Sequence, residues 1–200
     1  RTSSSAASDV YKRQVEDDHQ LSIGDEVTGE IDWHRRYSHM RMHTAQHLMS
    51  GLAYELFDGV RTVGNQINME NSRIDFNPIS FNESMLQELT ESANQYVNDS
   101  FPVLDSIMTR KEINSIMPEE RTNMDLLPKS IKDLRVITIG NEFDLCPCAG
   151  THISNLAEIG DITIVSKKSK GKGTQRIKYQ LSNNYTCLLY TSPSPRDSMT

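Results

Sequence analysis

"RMHTAQHLMSGL", residues 41–52, places His43 and His47 four residues apart. At about 100° per residue, with His43 at zero, His47 falls at about 40°, while Leu48, Leu52, Ala45, Leu56 and Met49 fall between about 140° and 240°. The spacing predicts a helix over 37–57 that ends at Asp58-Gly59. It packs through those five apolar residues and turns its histidine pair to a cleft, where Gly51 leaves space. Side chains at i and i+4 rise from one face, so the two imidazoles can share a metal ion. Two ordinary surface histidines are the plain alternative. A peptidase signature of the His-Glu-x-x-His type would need Glu where Thr44 stands, so no helix-borne glutamate serves as the base.

A second pair lies far along the chain. "CPCAGTH", residues 146–152, sets Cys148 and His152 four apart in a Pro- and Gly-containing stretch. Two histidines and a thiolate suit Zn²⁺, and His152 either completes a tetrahedron or stands beside an open position. The alternative is a buried free cysteine and a loop histidine. Cys146, two residues before Cys148, is not counted as a ligand.

Around these motifs the pattern mixes periods. "LSIGDEVTGEIDW" (21–33) reads as a strand or hairpin remnant, and 63–76 as two strands about a polar turn. Ser80 and Glu83 fit a capping box before a helix carrying Leu86, Leu89, Ala93, Tyr96 and Val97. Residues 102–109 and 134–140 read as strands, and "KEINSI" as a short helix stopped at Pro118. Residues 161–166 and 174–181 read as a hairpin closed by "KKSKGKG". The expected class is α+β: a largely antiparallel sheet with helices packed on one face. The segments 1–14 and 182–200 lack periodicity and read as translated linker or assembly sequence, or as disordered tails.

Composition narrows the function. The net charge of −6 leaves anionic partners only local basic patches, and Lys167 to Lys178 holds six cations. Three cysteines are too few for a disulfide framework, so a reducing, cytoplasmic setting is expected. No apolar run reaches the roughly 20 residues that span a membrane, and the P-loop spacing is absent.

The motifs together carry a resemblance. "RMHTAQHLMSGL" resembles the His-Ser/Thr-Ala-x-His-Leu-Leu motif of the alanyl-tRNA editing family, and "CPCAGTHISNLAEIGDITIV" resembles that family's second motif. "GNQINMENSRIDF", "LPKSIKDLRVITIG" and "GKGTQRIKY" fall in the expected order. The match runs from about Gly24 to Leu181 and is closest to free-standing editors of the medium type. Ala149 stands where glycine is commoner.

The resemblance implies a hydrolase that deacylates tRNA(Ala) mischarged with serine or glycine. It implies Zn²⁺ at His43, His47, Cys148 and His152, Gln66 near the reacting ester, and Thr151 against the aminoacyl end. It implies an editing domain over 36–181, the threonyl/alanyl-tRNA synthetase second additional domain, preceded at 15–35 by the end of an N-terminal β-barrel. The expected partner is the acceptor end of tRNA(Ala), with Lys168, Lys170, Lys172 and Arg176 on its phosphates. No DNA and no membrane are expected, and the oligomeric state is open. A piece of full-length alanyl-tRNA synthetase, or a non-catalytic zinc-stabilised tRNA-binding module, would share the same residues. An aminoacyl ester is already activated, so an oriented water and charge stabilisation suffice for its hydrolysis.

Overall fold

The computed structural model describes residues 20–122, 124, 127–140 and 143–183. The chain divides into two units, Arg1–Trp33 and His34–Thr200. Of the first, residues 20–32 hold a turn in which Ser22 N donates to Asp25 Oδ2 at 2.7 Å, and no strand. The strand read at 21–33 is therefore not formed there. Residues 15–19 of the expected barrel remnant, and nearly all of both expected tails, lie outside the described residues.

The elements run α1 (Trp33–Leu56), β1 (Arg61–Gln66), β2 (Ser72–Asn77), α2 (Glu83–Asn98), β3 (Val103–Thr109), α3 (Arg110–Ile116), α4 (Glu119–Thr122), β4 (Asp133–Ile139), β5 (Asp144–Pro147), β6 (Ile162–Gly171) and β7 (Thr174–Leu181). A single turn of 3-10 helix at Leu156–Glu158 precedes β6. The class is α+β, with antiparallel pairing throughout. The strands form two sheets rather than one, ordered β1-β2-β7-β6 and β3-β4-β5. Among the described residues no helix is long and apolar enough to cross a membrane.

Helix α1 starts a turn earlier than the periodicity predicted and ends where expected. Asp58 and Gly59 both take positive φ, and Gly59 N donates to Tyr54 O at 2.9 Å. That left-handed stop is cheap for glycine and tolerable for aspartate. Ala45, Leu48, Met49 and Leu52 are buried, in a core shared with Ile74 and Phe76 of β2, Ile177 and Tyr179 of β7, and Ile137 and Ile139 of β4. Removing a leucine or methionine side chain from water contributes about 1.5–3 kcal/mol. The histidine side of α1 is covered too, since Thr44, Gln46 and His47 are buried. A smaller core of Ile113, Met117, Met124, Leu134, Val136 and Leu145 lies between α3 and the second sheet.

Two local expectations are corrected. The cap of α2 is Asn82, whose Oδ1 accepts from Met85 N at 2.8 Å, not Ser80. Asn82 directly precedes the first helical residue in extended backbone, which is where a capping oxygen reaches the free amides. The hairpin of β6 and β7 extends to Gly171 and turns only at Lys172-Gly173, so "KKSKG" is strand rather than loop. The ordered pairing runs just past Leu181, because Ser182 N donates to Asp161 O at 2.9 Å.

Candidate metal centre

His43 and His47 come from the middle of α1. Cys148 and His152 come from the loop after β5, which is held in shape by β4. Cys148 N donates to Arg135 O at 3.0 Å, and Arg135 Nη1 donates to Cys148 O and Gly150 O at 2.9 and 2.8 Å. Past the loop, Glu158 Oε1 accepts from Ser154 N and Asn155 N, both at 3.0 Å. Gly150 is sterically required: a Cβ there would sit 2.3 Å from His43 Cε1.

The four side chains converge. One ligand atom from each of His43, His47, Cys148 and His152 lies within 4.8 Å of the others. Cys148 Sγ is 3.6 Å from His43 Nε2, and the His43 and His152 rings stack at 4.2 Å. A tetrahedron of Zn–N and Zn–S bonds has edges of roughly 3.3–3.8 Å, so small ring rotations close the group.

The outer nitrogens are already oriented. His43 Nδ1 faces Thr151 O at 3.3 Å, which leaves Nε2 towards Cys148. Thr44 Oγ1 donates its proton to Met40 O at 3.0 Å, so its 3.1 Å contact with His152 Nδ1 requires the imidazole to donate. That leaves a lone pair on His152 Nε2, which is buried and without a hydrogen-bond partner. A buried acceptor turned to three other donors is what a cation would satisfy. His47 Nδ1 lies 3.6 Å from Asp144 Oδ2, and both residues are buried. Gly51 admits that carboxylate, since a Cβ there would approach Asp144 Oδ1 to 3.2 Å. The space beside the pair thus holds Asp144 and Phe143.

The electrostatics suit a cation. Burial opposes charge on Cys148, but contacts with His152, His43 and His47 outweigh it and hold the thiol at about 3. Burial also opposes charge on His47, yet Asp144 and then Cys148 raise it to about 9. Burial takes His152 down to about 4. Thiolate and imidazolium share protons that a metal ion would displace. Cys146 differs: burial pushes its thiol up, and its Sγ faces Thr122 O at 3.6 Å, away from the group.

A cavity of about 390 Å³ adjoins the centre, lined on one side by His43, His47 and Cys148 and on another by Thr62, Asn65 and Arg121. Gln46 Nε2 donates to Ser50 Oγ at 2.8 Å, and Ser50 Oγ lies 2.6 Å from Thr62 Oγ1, giving this wall a polar relay. Gln66 is exposed, pairs with Arg73 on the side of β1 opposite Asn65, and lies outside the lining. Thr151 reaches the centre through its carbonyl, and the residue is otherwise exposed. Lys168, Lys170 and Lys172 are exposed, whereas Arg176 is held by Asp75 through bonds of 2.6 and 2.7 Å. Sequence reasoning missed Asp144, Arg135, Thr62 and Asn65. It read Thr44 only as an absent glutamate.

The profile of the family described as threonyl and alanyl tRNA synthetase second additional domain matches residues 134–178. The alanyl-tRNA editing protein AlaX-M of Methanosarcina acetivorans is 34% identical over 161 residues, 80% of this chain and 65% of that protein. AlaX-M of Saccharolobus solfataricus is 32% identical over 169 residues, 83% of this chain and 68% of that protein. The alanine–tRNA ligase of Metallosphaera sedula is 32% identical over 178 residues, 86% of this chain but 19% of the ligase. The chain thus spans about two thirds of the length of the editing proteins it matches.

Proposed function

The chain belongs to the family of the alanyl-tRNA editing proteins, and from that premise we propose that it hydrolyses the ester of tRNA(Ala) mischarged with serine or glycine. Zn²⁺ is the proposed cofactor, held by His43, His47, Cys148 and His152. The observation that carries the metal assignment is the buried, unpartnered His152 Nε2 turned to the other three donors. A zinc ion bound there would supply positive charge to polarise the ester.

The remaining work falls to this chain's own groups. Thr44, Asp144 and the Thr151 carbonyl orient the imidazoles, and Gly150 lets the loop close on His43. The cavity beside the centre takes the aminoacyl end, with its polar wall at Ser50, Thr62 and Asn65 facing the small acyl group, and Thr151 stands beside His43. Lys168, Lys170 and Lys172 contact phosphates of the acceptor end, and Arg176 adds only what Asp75 leaves it. The setting is the cytoplasm, where tRNA(Ala) is charged. The alanine–tRNA ligases share the same stretch, so the chemistry is proposed for this domain, whether it acts alone or within a larger enzyme.

Deacylation of seryl-, glycyl- and alanyl-tRNA(Ala) by the full natural chain tests the proposal. Release of serine or glycine, with alanine spared, supports it. Zinc and tRNA binding without release from any of the three would favour the non-catalytic binding module.

A further inference from the structure

The face of the four-stranded sheet turned away from the core is basic. Along β2, Ser72, Ile74 and Phe76 point inward, so Arg73 and Asp75 point outward. Along β7, Ile177 and Tyr179 point inward, so Arg176 and Lys178 point outward. The register aligns two outward rows across the strands, Gln66–Arg73–Lys178–Ser166 and Gly64–Asp75–Arg176–Lys168. In the second row, Asp75 is tied to Arg176. The first row holds no carboxylate. Lys178 is exposed and in no ion pair among the described residues, and Arg73 Nε is shielded from solvent without a hydrogen-bond partner there.

This row starts at the lip of the cavity. Thr62 and Asn65 of β1 line the cavity, while Gln66, the next residue, begins the basic row on the other side of the same strand. Neighbouring strands lie about 4.8 Å apart, so Arg73 and Lys178 stand roughly 5 and 10 Å beyond β1. The tip of the hairpin is at the other end of the sheet, where Lys172 O accepts from Asn77 Nδ2 at 2.9 Å.

We propose that Gln66, Arg73 and Lys178 form the track for the backbone phosphates of the single-stranded 3′ end of the tRNA, which crosses β1 to enter the cavity. The inference rests on the editing reading above. With a net charge of −6, a polyanion is attracted only where cations outnumber carboxylates locally. A cavity of about 390 Å³ admits one terminal residue and no duplex, so the strand leading to it is unpaired. Contacts to phosphates fix the path without reading bases, and a neutral amide at Gln66 serves as a donor beside the cations.

The test is the affinity of the full natural chain for uncharged tRNA(Ala) at several salt concentrations. The variant is Arg73→Gln with Lys178→Gln, and the charge-matched control is Lys129→Gln with Lys132→Gln, exposed cations outside this sheet. The row variant should bind several-fold more weakly, with its salt slope reduced by about 1.4, since each single-strand contact contributes roughly 0.7. Lys178→Gln alone, at an exposed position, should give about half that change in slope. Row variants whose curves overlay the wild type, or weaken no more than the control, would overturn the proposal while leaving deacylation standing. A full chain that binds no tRNA would overturn the editing reading and this one with it.

Discussion

Thr44 Oγ1 lies 3.1 Å from His152 Nδ1, joining the middle of α1 to the loop after β5. The hydroxyl gives its proton to Met40 O and so acts as an acceptor towards the ring, with Ile153 N a second donor at 3.4 Å. One threonine thereby selects the His152 tautomer whose Nε2 faces the other ligands. Thr44→Val removes the acceptor but keeps the shape. Zinc affinity should fall about 10- to 100-fold, the usual effect of losing such an outer partner, and Thr44→Ser should restore it. Competition against a chromophoric chelator measures this; equal affinities for Val and Ser would show that the hydroxyl does not orient the ring.

Gly150 is the tightest point of the loop, with its absent Cβ 2.3 Å from His43 Cε1 and 2.8 Å from Nδ1. Gly150→Ala must push the loop away or rotate the imidazole. Overpacking of this kind costs about 1–3 kcal/mol. Both zinc content and melting temperature should drop, zinc the more, because the clash falls on a ligand. An alanine variant with unchanged zinc stoichiometry and stability would mean that the loop has room the geometry denies it.

The sequence made α1 and its ligand pair legible because a 3.6 period and an i, i+4 spacing are both local. The second pair was legible for the same reason, but alternation does not part Cys146 from Cys148, since residues two apart in a strand share a face; the strand ends at Pro147, between them, and Cys146 Sγ faces Thr122 O. Asp144 was not. Its role depends on Gly51 letting β5 approach a helix far back in the chain, and a four-residue strand shows no period of its own. Two sheets were read as one because pairing is non-local and leaves no trace within a strand. Gln66 was placed at the site through a motif, yet alternation along β1 turns it to the opposite side from Asn65. The basic stretch was read as a loop because Lys and Gly imply exposure, which an edge strand also provides.

Asp75 accepts two bonds from Arg176, and that guanidinium, opposed in part by desolvation, holds the carboxyl below its ordinary range. A lowered folded-state value means the stabilisation is present above the unfolded value of about 3.9. It is lost as pH falls through the lower folded value. Asp75→Asn should therefore be less stable than wild type at neutral pH, with the gap in urea midpoint closing as pH falls below about 4. A gap independent of pH would assign the effect to packing instead of charge.

Removing the metal should separate fold from site. The main core draws on apolar residues of α1, α2 and both sheets, with the ligand Cys148 only partly buried against it. A chelator should therefore leave the far-ultraviolet circular dichroism largely intact, unlike in small domains that unfold without zinc. Melting temperature should fall by an amount that grows with free zinc over its dissociation constant, as expected when a ligand binds only the folded state. The two described cysteines should then part company. Contacts with His152, His43 and His47 hold Cys148 as a thiolate at about 3, while burial keeps Cys146 protonated. Since the thiolate is the nucleophile, an alkylating reagent should label Cys148 quickly in chelated protein and slowly in zinc-loaded protein, with Cys146 slow in both. Peptide mapping by mass spectrometry resolves the two sites. Equal labelling of Cys148 with and without zinc would show that the metal does not sit on that sulfur.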